Sequence, residues 1–194
     1  MHIEQLLDYM ERIPGWFLRN EARLLQCSAL DALMKCGSGN VVEIGSYCGK
    51  STVMLADAVR NAQRGRVHAI DPDESLVVGV ADIWTGIGKV AIFTQKIKGL
   101  GLEQSVILLQ KRPSEVQWSD SICFLHIDGL HDAVNVAMDF DQFFSHVEKG
   151  GYVAFHDYGN PYYPGVKQVV DAALESGKVR KVAQESLLII LEKS

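Results

Sequence analysis

The order of the predicted elements indicates an α/β domain with a mostly parallel sheet of seven strands and helices on both faces. Short apolar runs typical of buried strands alternate along the chain with stretches of helical periodicity. A turn with two glycines, in residues 43–51, joins the first of these runs to a helix. The last two runs are separated only by Gln184-Glu185-Ser186. Because this connection is too short for a parallel crossover, the last strand must run antiparallel to its neighbour.

The first half of the chain is predicted to begin with helices and continue with alternating strands and helices. The Pro14-Gly15 pair separates two opening helices, 3–12 and 21–36, and the glycines and asparagine of 37–40 end the second. Four further elements follow: a strand at 41–44, a helix at 51–61, a strand at 66–70 and a partly helical stretch from Ser75 to about Lys98. Three glycines interrupt the helical pattern of that last stretch.

The second half continues the alternation to the end of the chain. Apolar residues recur at helical spacing between Ala133 and Val147, and Gly150-Gly151 is predicted to stop that helix and open a strand. The predicted elements are strands at 105–109 and 122–127, a helix at 133–147, a strand at 152–155, a helix at 166–175, and strands at 179–183 and 187–191.

Composition and length narrow the class of protein. The 194 residues fit one domain, 1–194, with N-terminal helices in 1–38 and a sheet-containing core in 39–194. The net charge of -5 disfavours nucleic-acid binding, which needs clustered basic residues. A membrane span is not expected, since no apolar run approaches the ~18 residues it requires. The N-terminus lacks a secretory signal pattern, and the four cysteines show no C-x-x-C spacing, so we expect reduced thiols and a cytoplasmic protein.

The glycine turn after the first strand is a candidate cofactor site. Its spacing fits neither the dinucleotide fingerprint nor the P-loop. A carboxylate at Glu43 would repel a pyrophosphate but suits a ligand that carries an ammonium and a sulfonium. Asp71 ends the next strand, where an acid can accept both ribose hydroxyls. The alternative is a tight turn with a helix-capping Ser51, and an Asp71-Pro72 turn that only ends a strand.

Three segments resemble one known family. Residues 43–51, Ile127-Asp128-Gly129-Leu130-His131 and residues 150–158 are similar to motifs of class I S-adenosylmethionine-dependent methyltransferases of family 24, the catechol O-methyltransferase-like group. The likeness extends from about Gly15 to Gly177. It implies a Rossmann-like methyltransferase fold with an antiparallel last strand.

The resemblance also implies which residues hold S-adenosylmethionine. Asp71 and Asp128 are expected at the cofactor, with Asp71 on the ribose. Ser114 is expected against the adenine, although residues 110–114 depart from the small turn usual in relatives. The residues expected around the methionine part are Glu43, Gly45, Ser46, Tyr47, Gly49 and Ser51.

The part of the site where methyl transfer takes place is expected where the fourth and fifth strands end. In metal-dependent relatives this arrangement binds magnesium, which implies Asp128, His156 and Asp157 as metal ligands here. An imidazole in the set suits manganese better than magnesium. The alternative is a hydrogen-bonded polar cluster that positions substrate without a metal.

A histidine stands where catechol-type relatives carry their lysine base. His131 lies three residues after Asp128, and an imidazole of ordinary pKa can accept a proton near neutral pH. We therefore expect catalysis by His131 and Asp128. The alternative is a histidine at a helix start, hydrogen-bonded to Asp128 or to backbone.

These features together predict an enzyme that transfers a methyl group to a hydroxyl oxygen of a small molecule. The loops near Trp84, Lys111 and residues 158–164 would recognise the acceptor. Two alternatives stay open: a catalytically silent S-adenosylmethionine-binding protein and a related hydroxylase-like enzyme. A homodimer is the default expectation for the assembly.

Overall fold

The computed structural model describes residues 2–72 and 88–194. Trp84 and most of the partly helical stretch predicted from Ser75 lie outside the described residues. In the described part of the chain, no helix combines the length and apolarity needed to cross a bilayer.

The described elements alternate as the sequence predicts. Most bounds differ from the predicted ones by one or two residues, and two strands match exactly. The helices are α1 (Ile3–Met10), α2 (Arg19–Lys35), α3 (Thr52–Ala62), α4 (Lys89–Gly99), α5 (Ala133–Phe144) and α6 (Pro164–Glu175). The strands are β1 (Asn40–Ile44), β2 (Arg66–Ile70), β3 (Val106–Leu109), β4 (Ile122–Ile127), β5 (Val147–Phe155), β6 (Val179–Glu185) and β7 (Leu188–Lys193).

The strands form one seven-stranded sheet in the order β3-β2-β1-β4-β5-β7-β6. β1 pairs in parallel with β2 and β4, and β4 pairs in parallel with β5. β7 runs antiparallel to both β5 and β6, which confirms the predicted antiparallel last strand. The order in which successive strands are added to the sheet reverses at β1: β2 and β3 lie on one side of it, and β4 and β5 lie on the other. The carboxyl ends of β1 and β4 therefore flank a crevice.

The fifth strand is longer than predicted. Gly150-Gly151 was expected to open it, but β5 already begins at Val147, and α5 ends at Phe144. The pairing of β5 with β4 shifts between Ile122 and Phe124, so the glycines lie in an irregularity of the strand. Glycine therefore permits a bulge here instead of breaking the element.

Alternate residues of the strands face two separate apolar layers. Val41 of β1 contributes to the layer formed with α1, α2, α3 and α4, whereas Val42 belongs to the layer with α5 and α6. The helices thus cover both faces, as parallel strands require. This arrangement leaves the ends of the central strands open to ligands.

Candidate active site

A cavity of about 1050 Å³ lies at the carboxyl ends of β1, β2, β4 and β5. The loops that follow these strands form its walls, and the N-terminal residues Pro14–Leu18 border it on one side. This volume is at the upper end of the range for small-molecule sites. The cavity is therefore large enough for a nucleoside-sized cofactor together with a second small molecule.

The glycines of the turn after β1 serve close packing within the protein. Gly45 has φ of +88°, and a Cβ there would lie 2.0 Å from the carbonyl oxygen of Asp128. Gly49 also has φ of +88°, and its Cβ would lie 3.0 Å from the ring of Phe93 in α4. The lack of a side chain at Gly49 therefore lets α4 pack closely against the turn.

Glu43 lies beneath the turn and not in the cavity wall. Its side chain is fully buried, accepts a hydrogen bond from Thr52 Oγ1 at 2.5 Å, and lies 3.3 Å from His126 Nδ1. The predicted direct contact between Glu43 and the methionine part of a cofactor is therefore not what the structure presents. Glu43 instead supports the start of α3, which follows the turn.

Three other predicted residues of the turn, Ser46, Tyr47 and Ser51, do line the cavity. Ser46 Oγ is buried and has no hydrogen-bond partner within the described residues. Ser51 precedes α3, but its side chain makes no capping hydrogen bond, which argues against the capping alternative. The hydroxyl groups of Ser46 and Ser51 are therefore available for a ligand.

Asp71 faces the same cavity from the end of β2. Its Oδ2 accepts a hydrogen bond from the backbone N–H of Tyr47 at 2.7 Å, and its Oδ1 pairs with Lys89 Nζ. The first contact ties the β2 end to the turn after β1 and holds Tyr47 at a φ of 45°. Each carboxylate oxygen keeps a second lone pair for a ribose hydroxyl.

Ser114 lies on the far side of the cavity in a 3₁₀ turn, Pro113–Glu115. Gln142 of α5 fixes this turn by donating to the carbonyl oxygens of Pro113 and Val116 at 2.8 Å and 2.9 Å. The structure thus places Ser114 on the cavity wall, although its side chain is exposed.

The ends of β4 and β5 bring together the cluster that the sequence predicted there. His131 Nε2 lies 2.9 Å from Asp157 Oδ2 and 3.5 Å from Asp128 Oδ1. His156 Nδ1 lies 3.1 Å from Asp128 Oδ1, and its Nε2 lies 3.2 Å from Glu21 Oε2. Two imidazoles therefore alternate with three carboxylates across the base of the cavity.

The charges in this cluster shift the pKa values of its members in opposite directions. Burial alone lowers the pKa of His131, but the carboxylates of Asp128 and Asp157 raise it to about 9. The same attraction raises the pKa of His156 and lowers those of Asp128 and Asp157, against the effect of their burial. His131 is therefore protonated at neutral pH in this arrangement, and the expectation of an imidazole with an ordinary pKa is wrong.

The donor atoms suited to a metal differ from the predicted set by one residue. Among the described residues, one ligand atom each from Asp128, His131 and Asp157 lies within 4.8 Å of the others. His156 was predicted as a ligand, but it is buried and its two nitrogens already face Asp128 and Glu21. Two carboxylates and one imidazole fit a divalent ion such as manganese.

Aromatic side chains border the cluster and the glycine turn. The ring of Tyr163 stacks on His131 at 4.4 Å between centroids, and Trp16 lies 5.9 Å from the ring of Tyr47. Phe17 packs against His156 at 4.9 Å. These contacts fix the orientation of His131 and His156 and form an apolar rim.

Sequence reasoning assigned no role to three residues of the site. Glu21 anchors His156, Lys89 pairs with Asp71, and Asp139 of α5 lies in the cavity wall. Asp139 could have been found from the sequence, because it is a carboxylate on the otherwise apolar face of a predicted helix. Glu21 and Lys89 carry no such signal, because their partners are distant in sequence.

Comparisons with known proteins agree with this geometry. The sequence profile of a family described as a methyltransferase domain matches residues 42–158. The structure of the O-methyltransferase NovP superposes with a TM-score of 0.72 at 15% identity, covering 98% of this chain and 88% of NovP. An O-methyltransferase from Bacillus cereus in complex with S-adenosylhomocysteine gives a TM-score of 0.70 at 15% identity, with 98% and 90% covered.

A third solved structure belongs to the same group of folds. The S-adenosylhomocysteine-bound methyltransferase PaMTH1 of Podospora anserina gives a TM-score of 0.70 at 11% identity, covering 99% of this chain and 87% of that one. At such low identity, these structural similarities establish a shared fold and no more.

Proposed function

The chain belongs to the class I S-adenosylmethionine-dependent methyltransferases of family 24, and on this premise we propose that it methylates a hydroxyl oxygen of a small molecule. The proposal rests on one observation, the sequence of groups along a single cavity. Asp71 lies at one part of it, the free hydroxyls of Ser46 and Ser51 at another, and the cluster of Asp128 and Asp157 at its base. These groups suit a ribose, an amino-acid moiety and a reacting hydroxyl, respectively.

The bound cofactor would supply an electrophilic methyl group, and the protein must bring the acceptor oxygen in line with it. Asp128 and Asp157 carry negative charge, since their pKa values are lowered, and they accept hydrogen bonds from an acceptor hydroxyl. Tyr163 holds the His131 ring in place by stacking. Positioning of this kind lowers the barrier by several kcal/mol, and the aromatic rim helps to exclude water.

We extend the proposal to a divalent ion, manganese or magnesium, held by Asp128, His131 and Asp157. The three donor atoms lie close enough to share one ion. When bound, the ion would hold the acceptor hydroxyl and lower its pKa. His131 would then be a ligand or a proton acceptor only in its neutral form.

A calorimetric titration with S-adenosylmethionine and S-adenosylhomocysteine tests the cofactor. We expect micromolar binding of both by the purified protein in EDTA. Absence of binding to folded, ligand-free protein would overturn the proposal. Asp71→Asn is the matched variant, because it removes one charge from the expected ribose contact.

A second experiment tests the reaction. Hydroxylated acceptors are incubated with S-adenosylmethionine, with and without manganese, and methylated products are detected by mass spectrometry. Transfer that requires manganese in the wild type and fails in Asp157→Asn would support the metal set. Tight cofactor binding with no product from any acceptor would favour the silent binding protein instead.

A further inference from the structure

An acidic side chain interrupts the apolar face of α5. Val136, Phe140 and Phe143 point into the layer between this helix and the sheet, and Asp139 lies on the same face. Only 9% of Asp139 is exposed. Within the described residues, its carboxylate has neither a hydrogen-bond donor nor a cation as partner. A buried polar group in this state costs stability, so its presence calls for a physical reason.

The neighbouring donors on α5 are already engaged. Asn135 donates its side-chain amide to Asp132 at 2.6 Å, and Gln142 donates two hydrogen bonds to carbonyl oxygens of the Pro113 turn. Asp132 adds negative charge on the same helix. Burial, with a contribution from Asp132, raises the pKa of Asp139 to about 6. Among the residues that the structure describes, none compensates the charge of this carboxylate.

The carboxylate of Asp139 lies in the cavity wall. Asp139 lines the cavity together with Met138, Gln142 and the Pro113-Ser114 turn. A Cβ at Gly129 would lie 3.4 Å from Asp139 Oδ2, so the absence of a side chain at Gly129 leaves space beside the carboxylate. Gly129 follows Asp128 directly, so the carboxylate of Asp139 lies next to the chain just after the end of β4.

The surroundings of Asp139 favour a flat ligand that carries a hydrogen-bond donor. Pro113 and Met138 present apolar surface, whereas Asp139 supplies an acceptor for a neutral N–H group. Asp71 marks the ribose region, and the cluster marks the methyl-transfer region. The base of the nucleoside is the remaining part of the cofactor, and its amino group is such a donor.

We propose that Asp139 accepts a hydrogen bond from the 6-amino group of the cofactor's adenine ring and so selects adenine over purines without this group. The inference rests on the proposed function, because it assumes that S-adenosylmethionine occupies the cavity. It makes Asp139 a specificity-determining residue for the cofactor. Ser114 then contributes to the wall beside the ring, not to the recognition of the amino group.

The test is a cycle of two ligands and three proteins, measured by calorimetry. The ligands are S-adenosylhomocysteine and its analogue with hydrogen in place of the 6-amino group. The proteins are the wild type, Asp139→Leu and the control Asp141→Leu, which changes an exposed acid of the same helix. A hydrogen bond to a charged acceptor predicts that the wild type prefers the amino ligand by about 10-fold to 100-fold.

The expected result is that Asp139→Leu loses this preference while Asp141→Leu keeps it. Asp139→Asn, whose amide oxygen still accepts, should keep part of it. Equal binding of both ligands by the wild type, or full preference in Asp139→Leu, would overturn the inference and leave the proposed function intact. Failure of the wild type to bind either ligand would overturn both.

Discussion

Replacement of Asp139 by asparagine removes a buried charge and keeps the shape of the side chain. The pKa of Asp139 is raised from its ordinary value of 3.8 to about 6 by burial, with a smaller contribution from Asp132. The difference is about 2 pKa units, and at ~1.4 kcal/mol per unit it corresponds to at most ~3 kcal/mol. Because water in the cavity solvates part of the charge, we expect Asp139→Asn to gain about 1 to 3 kcal/mol at pH 7.5.

The sign of the effect follows from proton linkage. Between pH 3.8 and about 6, the folded protein holds the proton of Asp139 more tightly than the unfolded chain does. The contribution of Asp139 to the free energy of unfolding therefore falls as the pH rises through this window and is constant above it. The variant lacks this contribution, so its advantage over the wild type should grow from pH 4.5 to pH 6.5 and then level off.

Urea unfolding at pH 4.5, 5.5, 6.5 and 7.5 measures this difference. Asp141→Asn is the control, since Asp141 is exposed on the same helix and its loss should leave the stability unchanged within about 0.5 kcal/mol. A variant no more stable than the wild type at pH 7.5, or an advantage independent of pH, would refute the reasoning. A gain in stability joined to a loss of adenine selectivity would be typical of a residue retained for function.

The other predictions concern Asp71, His131 and Glu21. Asp71→Asn should weaken S-adenosylhomocysteine binding by roughly 10-fold in calorimetry, since a charged acceptor for the ribose is lost; wild-type affinity would count against the ribose assignment. His131→Gln should leave that affinity unchanged but reduce kcat by roughly 10²-fold to 10⁴-fold, because the variant lacks the ring that in its neutral form would bind the metal or accept the proton; unchanged turnover would remove His131 from catalysis. Glu21→Ala should lower the free energy of unfolding by about 3 to 5 kcal/mol, because it leaves a buried histidine and two backbone amides without their acceptor; a loss below about 1 kcal/mol in urea unfolding would contradict this.

Local patterns in the sequence were enough to predict which residues lie at the edge of the sheet that forms the site. Apolar runs and helical periodicity depend on a few neighbouring residues, and they placed Asp71 and Asp128 at strand ends. The carboxyl ends of parallel strands share one edge of a sheet, so the meeting of Asp128 with Asp157 followed from topology. The structure brings Asp128 and Asp157 together, but the third donor atom beside them belongs to His131 and not to His156, which was predicted.

The details of the cluster could not be predicted in the same way. Whether an imidazole is neutral depends on the charges within a few ångströms of it, and His131 has two carboxylates there. His156 was expected to be a metal ligand, but its Nε2 lies 3.2 Å from Glu21, more than a hundred residues earlier in the chain. Such distances in sequence leave no local pattern to read.

The sequence by itself determined the α/β architecture, the antiparallel last strand and the edge of the sheet where chemistry takes place, because each depends on local periodicity or connection length. Only the tertiary structure decided which side of each strand end a group faces. It buried Glu43 beneath the turn, paired Asp71 with Lys89, turned His156 toward Glu21 and left Asp139 without a partner among the described residues of the cavity. The physical reason is that burial and electrostatic partners are set by packing between segments distant in sequence.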